Sequence, residues 1–592
     1  MKNAYLFETR GIQRFLFATG KLKDMLEGSE LIDYICADNG LLDEALSSLK
    51  LMDKVTSPRK AGGVFYLVFD ELADAKRFQS TWRLLMSQWL PSVEQVDVVS
   101  QSSSAKEAIN NGIKQLAQQR NIISVALPNA SPITERSPRT GQAVVRREVH
   151  GKRGTESLDL STSILRSFQR PAKSQSLTER FLYGFSERAE HDINNQKVHF
   201  PNNFESDAKA SKKFPLGRRK LVGLIHADGN GLGEILRLLN EACQDASDEV
   251  YIDLYRTFSE GITKATIEAT NQAANDTLVS NITDDNVIPA RPLVLGGDDL
   301  SVIVRADIAI EFTRAFLQAF KQTSQAELAQ LKQKFIDNGL TTSANKLPAY
   351  LTACAGIVYM KSSQPFYQAY EVAEGLCKQA KMFSRNHKQS VADSDASIIP
   401  SSLAFYKIGD SLIEEVDMMV ENSMTVTTDH EVYHLSAAAY MVDDIQQPEE
   451  GAQVASLNQL EELNDLLVNS AINPRALREI ATLMYLNIDQ AQHVFKRWVQ
   501  YSKRSDEQLK NVSRAEQREV KQINVFLQKL AQVIGELESD LPFSKVKPSS
   551  TDIAHKLEYQ SVIADLLTLM TIAEERTTYQ SSDQNPKDDE GV

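Results

Sequence analysis

The sequence predicts an α+β protein in which one α/β unit occurs twice and a helical region follows. Strand-like and helical apolar patterns alternate through residues 1–390, which is typical of packed α+β layers. Each half contains a strand that opens at a glycine pair, Gly62-Gly63 in the first half and Gly296-Gly297 in the second. Beyond residue 400 the strand pattern disappears, and apolar residues recur at helical spacing.

The composition is that of a large globular protein. The chain has 592 residues, 42% of them hydrophobic, and a formal net charge of -14; this length suits roughly three to five domains. The acidic total argues against non-specific coating of DNA. The four cysteines stand singly, without the spacing of a zinc or disulfide site. Without a signal peptide or an apolar run of about 18 residues, we expect a cytoplasmic protein with no membrane partner.

Residues 1–124 are the first predicted unit. The segment "AYLFE" predicts a strand, and helical spacing extends from "IQRF" to "DYIC". The segment "AGGVFYLVF" predicts a further strand, a helix follows it, and "EQVDVVS" predicts the last strand.

Residues 125–220 are predicted to form an irregular linker domain, because they are rich in Pro, Ser, Thr and Arg and lack periodicity. Two runs within it, 136–153 and 209–220, are basic. A solvated surface is the favoured interpretation of these runs. Contact with the phosphates of a nucleic acid is the alternative.

Residues 221–400 repeat the α+β order more clearly. A strand at "KLVGLIHAD", two helices, the hairpin "LVLGGDDLSVIV", a long helix, a strand and a final helix give the order βα(α)ββαβα. This is the order of a ferredoxin-like palm with one extra helix. The first unit is then a degenerate palm, since no aspartates follow its glycine pair. Residues 401–576 are predicted to be an all-helical C-terminal domain, and residues 577–592 a polar, disordered tail.

Two adjacent carboxylates, Asp298 and Asp299, stand at the tip of the second hairpin. Two like charges at ~4 Å repel by roughly 1 kcal/mol in water and by more in a sheltered cleft. A divalent cation removes this cost, and Mg²⁺ favours one or two carboxylates together with substrate phosphates. Neighbouring strand residues point to opposite faces unless the turn at Gly296-Gly297 distorts the alternation. We therefore expect Asp298 to be the firmer ligand and Asp299 the secondary one.

A third carboxylate, Asp228, ends the strand that should lie beside this hairpin. Gly229, Gly231 and Gly233 follow it, so the backbone can approach a phosphate closely at a helix N-terminus. The glycine spacing is not that of a dinucleotide fingerprint. His226, two residues before Asp228, is expected to be a packed core or rim residue.

Lys381 and Arg385 lie one turn apart at a helix end, where both could reach a triphosphate. A basic last turn that complements the helix dipole is the alternative interpretation. Carboxylates that hold two metal ions are typical of phosphoryl or nucleotidyl transfer.

These stretches resemble a known family. "HADGNGLG" together with "LGGDDLSVIV" resembles the second palm domain of the large, polymerase-like subunit of type III CRISPR effector complexes. "YLFETRGIQRFLFATGKLKDMLEGSELID" is similar to the first palm of that family, and "ITERSPRTGQAV" to its inter-palm insert, although the zinc cysteines are missing. "AKMFSRN" is similar to the corresponding ending of GGDEF-type cyclases, with Ser384 in place of a glycine.

The resemblance implies synthesis of cyclic oligoadenylates from ATP with two Mg²⁺ or Mn²⁺ ions. It also implies a complex with other effector subunits and guide RNA, which bound target RNA activates. Asp228, Asp298 and Asp299 would be the catalytic metal ligands. The residues of the nucleotide cradle would be Gly229, Asn230, Gly231, Gly233, Gly296, Gly297, Lys381 and Arg385.

Many relatives begin with an HD nuclease domain. Because the first strand is predicted to begin at residue 4, we do not expect such a domain before it. His191-Asp192 is expected to be a surface dipeptide, so no DNase activity is expected. A stand-alone nucleotide cyclase and a non-catalytic RNA-binding scaffold remain as alternatives. The ring size of the product and the choice of ATP over GTP stay open.

Overall fold

In this computed structural model, the described residues are 1–122, 131–149, 154–181, 198–204, 213–390, 397–409, 424–445, 453–504, 512–537, 541–546 and 556–583. The His191-Asp192 dipeptide and parts of both basic runs lie outside these residues. Among the described helices, none is long and apolar enough to cross a membrane.

The first unit is an antiparallel four-stranded sheet with helices packed against it. Its elements are β1 (Lys2–Arg10), α1 (Ile12–Leu16), α2 (Leu22–Cys36), α3 (Leu41–Ser48), β2 (Val55–Ala61), β3 (Val64–Phe69), α4 (Leu72–Trp89), β4 (Glu94–Ser102) and α5 (Ala105–Gln119). The strand order is β2-β3-β1-β4. The predicted strand at residues 61–69 is one arm of a hairpin whose tip is Gly62-Gly63. Its partner β2 was missed because the polar sequence "VTSPRKA" has no strand-like alternation.

The linker region contributes a hairpin and two short helices, β5 (Val144–Val149), β6 (Thr155–Asp159), α6 (Leu160–Ser167) and α7 (Leu177–Phe181). Arg166 holds it to the first unit. Its buried guanidinium contacts Asp24 of α2 at 2.7 Å, Glu148 at 2.6 Å and Glu156 at 2.9 Å. Internal ion pairs therefore neutralise part of the positive charge of this region.

The second unit repeats the topology of the first. Its elements are β7 (Leu221–Gly229), α8 (Leu232–Ala242), α9 (Asp248–Thr277), β8 (Ala290–Gly296), β9 (Asp299–Arg305), α10 (Ala309–Asp337), α11 (Thr341–Ala344), β10 (Ala353–Lys361) and α12 (Phe366–Arg385). The strand order β10-β7-β9-β8 corresponds to β4-β1-β3-β2 of the first unit. The predicted pair of ferredoxin-like units in an α+β protein is confirmed.

The C-terminal region is mostly helical, but it also contains strands. After the short pair β11 (Gln389–Ser390) and β12 (Ser397–Ile398), strand β13 (Ser402–Lys407) joins the second sheet parallel to β10. The others are β14 (Thr425–Thr427), β15 (Glu431–His434), β16 (Tyr440–Met441), β17 (Ser544–Val546) and β18 (Leu557–Gln560). The expectation that strands are absent beyond residue 400 is therefore wrong. These strands have two to six residues, too few to produce a clear alternation.

The helices of this region are α13 (Leu457–Val468), α14 (Pro474–Leu486), α15 (Ile488–Ser502), α16 (Arg514–Ile534) and α17 (Ile563–Asp583). Helix α17 continues past residue 577, where the disordered tail was expected to begin. Glu575 of α17 accepts a hydrogen bond from the backbone N–H of Arg219 at 2.8 Å, next to the start of β7. The C-terminal region thus contacts the segment that leads into the strand ending at Asp228.

The two units meet at the tips of their hairpins. A Cβ atom on Gly296 would lie 3.9 Å from the backbone nitrogen of Gly62. Helix α9 of the second unit packs on β2 of the first, and Arg256 Nε donates a hydrogen bond to the carbonyl of Ser57 at 3.0 Å. The glycine pairs therefore bring the two hairpin tips together at the edge that carries the carboxylates.

Candidate nucleotide and metal site

Three carboxylates converge where β7 ends and the β8–β9 hairpin turns. Asp228 lies directly opposite Asp299 in the antiparallel pairing of β7 with β9. Asp298 precedes β9 and stands in the turn beside Gly297, whose φ is +62°. Because Asp298 is outside the strand, the alternation of side chains does not separate it from Asp299. Carboxylate oxygens of all three residues lie within 4.8 Å of one another.

The electrostatics of this cluster favour a bound cation. Burial, and then the charge of Asp228, raise the pKa of Asp298 to about 6. Burial and the neighbouring Asp298 raise the pKa of Asp299 well above its usual range. Three hard oxygen donors within one small volume are the donor set that Mg²⁺ and Mn²⁺ prefer. The residues present therefore fit a divalent metal site.

Lys381 of α12 brings positive charge to the cluster. Its Nζ atom lies 2.5 Å from Asp228 Oδ2 and 2.8 Å from the carbonyl oxygen of Gly229. Arg385 lies one turn further along the helix and is exposed. The structure therefore brings Lys381 into the site and leaves Arg385 at its rim.

The loop after Asp228 is shaped by its glycines. A Cβ on Gly229 would lie 2.7 Å from Leu232 Cδ1 and 3.0 Å from Asp298 Cβ, so a side chain there would displace a carboxylate. Gly231 has a φ of +80° and precedes the first turn of α8. Gly233 has no other group within 4 Å of its Cβ position, which leaves open space beside the helix N-terminus.

Asn230 is hydrogen-bonded to the start of β10. Its side-chain amide donates hydrogen bonds to Thr352 Oγ1 at 3.0 Å and to Cys354 Sγ at 3.3 Å, and its backbone N–H bonds to the Thr352 carbonyl at 2.8 Å. These contacts tie the loop to β10. These hydrogen bonds give Asn230 a positioning role, and the nucleotide contact that the resemblance implies stays a prediction.

A buried polar cluster lies beneath the carboxylates. His226 Nδ1 is 3.0 Å from Ser301 Oγ and 3.2 Å from the hydroxyl of Tyr370. Burial lowers the pKa of His226. The ring of Tyr370 also packs on Phe17 of the first unit, with 5.1 Å between centroids. His226 is packed in the core, as expected from the sequence.

Two cavities adjoin the site. A cavity of about 880 Å³ lies between the units, with Gly62 and Gly296 in its wall and α9 along one side. A smaller cavity of about 330 Å³ lies beside Asn230 and Gly231. Sequence reasoning missed the contribution of the first unit to this region. The repeated glycine pair was the available signal, because it placed two similar hairpins in one chain.

Comparison with known proteins gives a match for the second unit. The family model for the second palm domain of Cas10/Cmr2 matches residues 221–392. No curated protein matches this sequence.

Several solved structures are similar to parts of the chain. A Csm1–Csm4 cassette in complex with cA4 is 13% identical over 68% of this chain and 54% of that chain, with a TM-score of 0.37. The apo Csm1–Csm4 cassette is 13% identical over 90% of this chain and 70% of that chain, with a TM-score of 0.39. Csm1 of T. onnurineus is 15% identical over 64% of this chain and 51% of that chain, with a TM-score of 0.34.

The chain thus spans about half the length of the first of these structures, since the match covers 54% of it. The match to the family model includes Asp228, Asp298, Asp299 and Lys381, the residues that form the candidate site. Residues 221–392 are therefore similar to the second palm domain of Cas10/Cmr2.

Proposed function

We propose that this chain is the nucleotide-polymerising subunit of a cytoplasmic type III CRISPR effector complex and makes cyclic oligoadenylates from ATP. The observation that carries the proposal is the convergence of Asp228, Asp298 and Asp299 inside the segment that matches a Cas10/Cmr2 palm. No side-chain nucleophile is needed, because the 3′-oxygen of one nucleotide attacks the α-phosphorus of another. A P–O bond forms as the bond to pyrophosphate breaks.

Each residue of the site has a defined task in this reaction. Asp228, Asp298 and Asp299 would hold two Mg²⁺ or Mn²⁺ ions, which supply charge neutralisation at the phosphates and at the attacking oxygen when bound. Lys381 binds phosphate and orients Asp228. The backbone at Gly229, Gly231 and Gly233 lets phosphate approach the amides of α8. Gly296 and Gly297 shape the turn, and Arg385 would bind phosphate at the rim.

We further propose that guide RNA, target RNA and other effector subunits are the partners. The C-terminal region supports this, because Glu575 links it to the start of the strand that ends at Asp228. Binding of a partner to that region could thereby bias the position of a metal ligand. A stand-alone cyclase is the second candidate, favoured only by the completeness of the carboxylate cluster within this one chain.

The test is product formation by the assembled complex with ATP, Mg²⁺ or Mn²⁺, and target RNA, followed by mass spectrometry. The wild-type complex should release cyclic oligoadenylates and pyrophosphate only when target RNA is present. The Asp298→Ala, Asp299→Ala double variant should release none. Equal synthesis by this variant would refute the site, and synthesis by the purified chain without RNA would favour the stand-alone cyclase. A complete lack of ATP turnover would favour the scaffold.

A further inference from the structure

Ser384 stands where the similar stretch of GGDEF-type cyclases has a glycine, and it is buried in the last turn of α12. Its hydroxyl donates a hydrogen bond to Ser402 Oγ of β13 at 2.7 Å. The Ser402 hydroxyl in turn donates to the carbonyl oxygen of Ala380 at 2.9 Å, one residue before Lys381. Two serine hydroxyls therefore hold the part of α12 that carries Lys381 against β13.

The same hydrogen-bond network reaches the loop that follows Asp228. Cys354 of β10 lies opposite Asp228 in the antiparallel pairing of β10 with β7. Its Sγ atom lies 3.6 Å from the hydroxyl oxygens of both Ser384 and Ser402, and the side-chain amide of Asn230 donates to it at 3.3 Å. These four hydrogen-bonding side chains are buried. The network therefore extends from α12 through β13 and β10 to the loop beside the carboxylate cluster.

Lys381 connects the same two segments. Its Nζ atom donates to the Gly229 carbonyl oxygen at 2.8 Å and lies 2.5 Å from Asp228 Oδ2. Gly229 precedes Asn230, which is one end of the network. Ala380 precedes Lys381 and accepts the hydrogen bond at the other end. The network and the lysine thus close a ring between α12 and the loop, and the position of the Lys381 ammonium relative to Asp228 depends on that ring.

Stability alone does not require polar side chains at these buried positions. Hydroxyl and amide groups lose their contacts with water when they are buried, and replacing both partners of such a hydrogen bond with apolar groups of the same shape is nearly neutral for folding. A fully bonded polar network instead favours one arrangement of the segments that it joins. The segments joined here carry Asp228 and Lys381, two groups whose task depends on their relative position.

We propose that Ser384 is a positioning residue for nucleotide transfer, which through the buried network keeps Lys381 beside Asp228 and the phosphates. The inference rests on the proposed function and adds a residue to its site. A glycine at this position has no hydroxyl and would leave the network without the bond to Ser402, so the departure from the cyclase pattern serves the site. Because Ser402 belongs to the C-terminal region, that region contributes to the geometry of the site.

The test compares four versions of the assembled, target-bound complex: wild type, Ser384→Ala, Ser384→Cys and the control Ser401→Ala. Ser384→Ala should lower kcat about tenfold with a smaller change in the KM for ATP, because groups that orient the ligands of a metal strongly affect activity. Ser384→Cys should stay within about threefold of wild type, because a thiol keeps a weak donor and acceptor. Ser401→Ala should behave as wild type, because the buried Ser401 hydroxyl has no hydrogen-bond partner among the residues that the structure describes.

A double-variant cycle shows whether Ser384 acts through Lys381. In complexes that carry Lys381→Met, the added Ser384→Ala substitution should lower kcat by less than about twofold, because the group that it positions is already absent. Equal losses in the wild-type and Lys381→Met backgrounds would show a general disturbance of the palm and would overturn the inference.

The thermal unfolding midpoint of each variant monitors folding separately from activity. An unchanged kcat in a folded Ser384→Ala complex would overturn the inference and leave the proposed function intact. If Ser384→Ala does not fold, Ser402→Ala decides, because it removes the acceptor of the Ser384 hydroxyl: an unchanged kcat in that variant overturns the inference. A wild-type complex that makes no product would refute the proposed function, and the inference with it.

Discussion

Lys381 is the single side chain that most directly controls the charge of the carboxylate cluster, because its Nζ atom lies 2.5 Å from Asp228 Oδ2. Lys381→Met should lower the rate of nucleotide transfer by about a hundredfold, since a preorganised cation beside the reacting phosphates is lost. Arg385→Gln should lower it by no more than about threefold, because an exposed charge is screened by solvent. Initial rates of pyrophosphate release measure both effects.

A matched control for Lys381 is available on the same helix. Lys378 pairs with Glu374 at 2.6 Å and is exposed, so Lys378→Met should leave the rate unchanged. Equal losses in the Lys378 and Lys381 variants would show that α12 as a whole was disturbed and would contradict the role given to Lys381.

Asp565 should make the stability of the C-terminal region pH-dependent. Its buried carboxyl contacts the hydroxyl of Tyr440 at 2.5 Å, and burial raises its pKa from 3.8 to about 7. Between these values the folded state keeps a proton that the unfolded state has lost. Stability therefore falls as the pH rises from about 4 to about 7. Thermal unfolding of Asp565→Asn across this range should show a shallower slope; the wild-type slope in that variant would contradict the assignment.

The residues of the site could be predicted to different degrees. Asp228, Asp298 and Asp299 were identifiable because clustered carboxylates next to glycines are costly without a cation. The hydrogen-bond partners of the Asn230 side chain could not be predicted, because its contact with Thr352 depends on how β10 lies against the loop.

Among the elements, the contact between β10 and α12 matters most, because it sets the position of Lys381. A Cβ on Gly356 would lie 2.1 Å from the carbonyl oxygen of Ala373 and 2.6 Å from the backbone nitrogen of Cys377. Gly356→Ala should therefore push α12 away and destabilise the second palm by about 1–3 kcal/mol or more. Chemical denaturation followed by proteolysis measures the change.

Gly409 provides the control for this substitution, because nothing lies within 4 Å of its Cβ position. Gly409→Ala should leave the unfolding midpoint close to that of wild type. If Gly356→Ala is as stable as Gly409→Ala and equally active, helix α12 and strand β10 are not packed as described.

Elements with a long pattern could be predicted from the sequence, whereas short ones could not. The helices α9 and α10, with 30 and 29 residues, show several turns of helical spacing. Strands β14 to β18 have two to four residues each and lie between or beside helices. Their pairing is decided by distant partners, as when β15 pairs with β18 more than a hundred residues away.

At the scale of the whole molecule, the linker region depends on one buried ion cluster. Arg166 and Asp24 have side chains that are 3% and 1% exposed. Arg166→Met should cost about 3–5 kcal/mol, because it leaves Asp24 buried without its partner. Arg147→Met should leave the stability nearly unchanged, because Arg147 and Glu135 form an exposed pair that solvent screens. Limited proteolysis of residues 131–181 should speed up only in Arg166→Met; equal rates in both variants would contradict this account.

The duplication of the palm was readable from the sequence, but the contact between its copies was not. The two glycine pairs made the internal repeat recognisable, since each pair marks a tight hairpin turn. That the tips of both hairpins meet follows from the packing of α9 on β2, which no local pattern encodes. The arrangement of whole units was therefore the part that required the structure.

The most direct test of the central claim is Mn²⁺ binding by the chain of 592 residues in the presence of a non-hydrolysable ATP analogue. Titration calorimetry and electron paramagnetic resonance measure it. The account predicts that wild type binds Mn²⁺ and that Asp298→Asn with Asp299→Asn weakens binding at least about tenfold without changing the fold. Equal Mn²⁺ affinity in the wild-type and double-variant chains would contradict the claim that these carboxylates form a metal site.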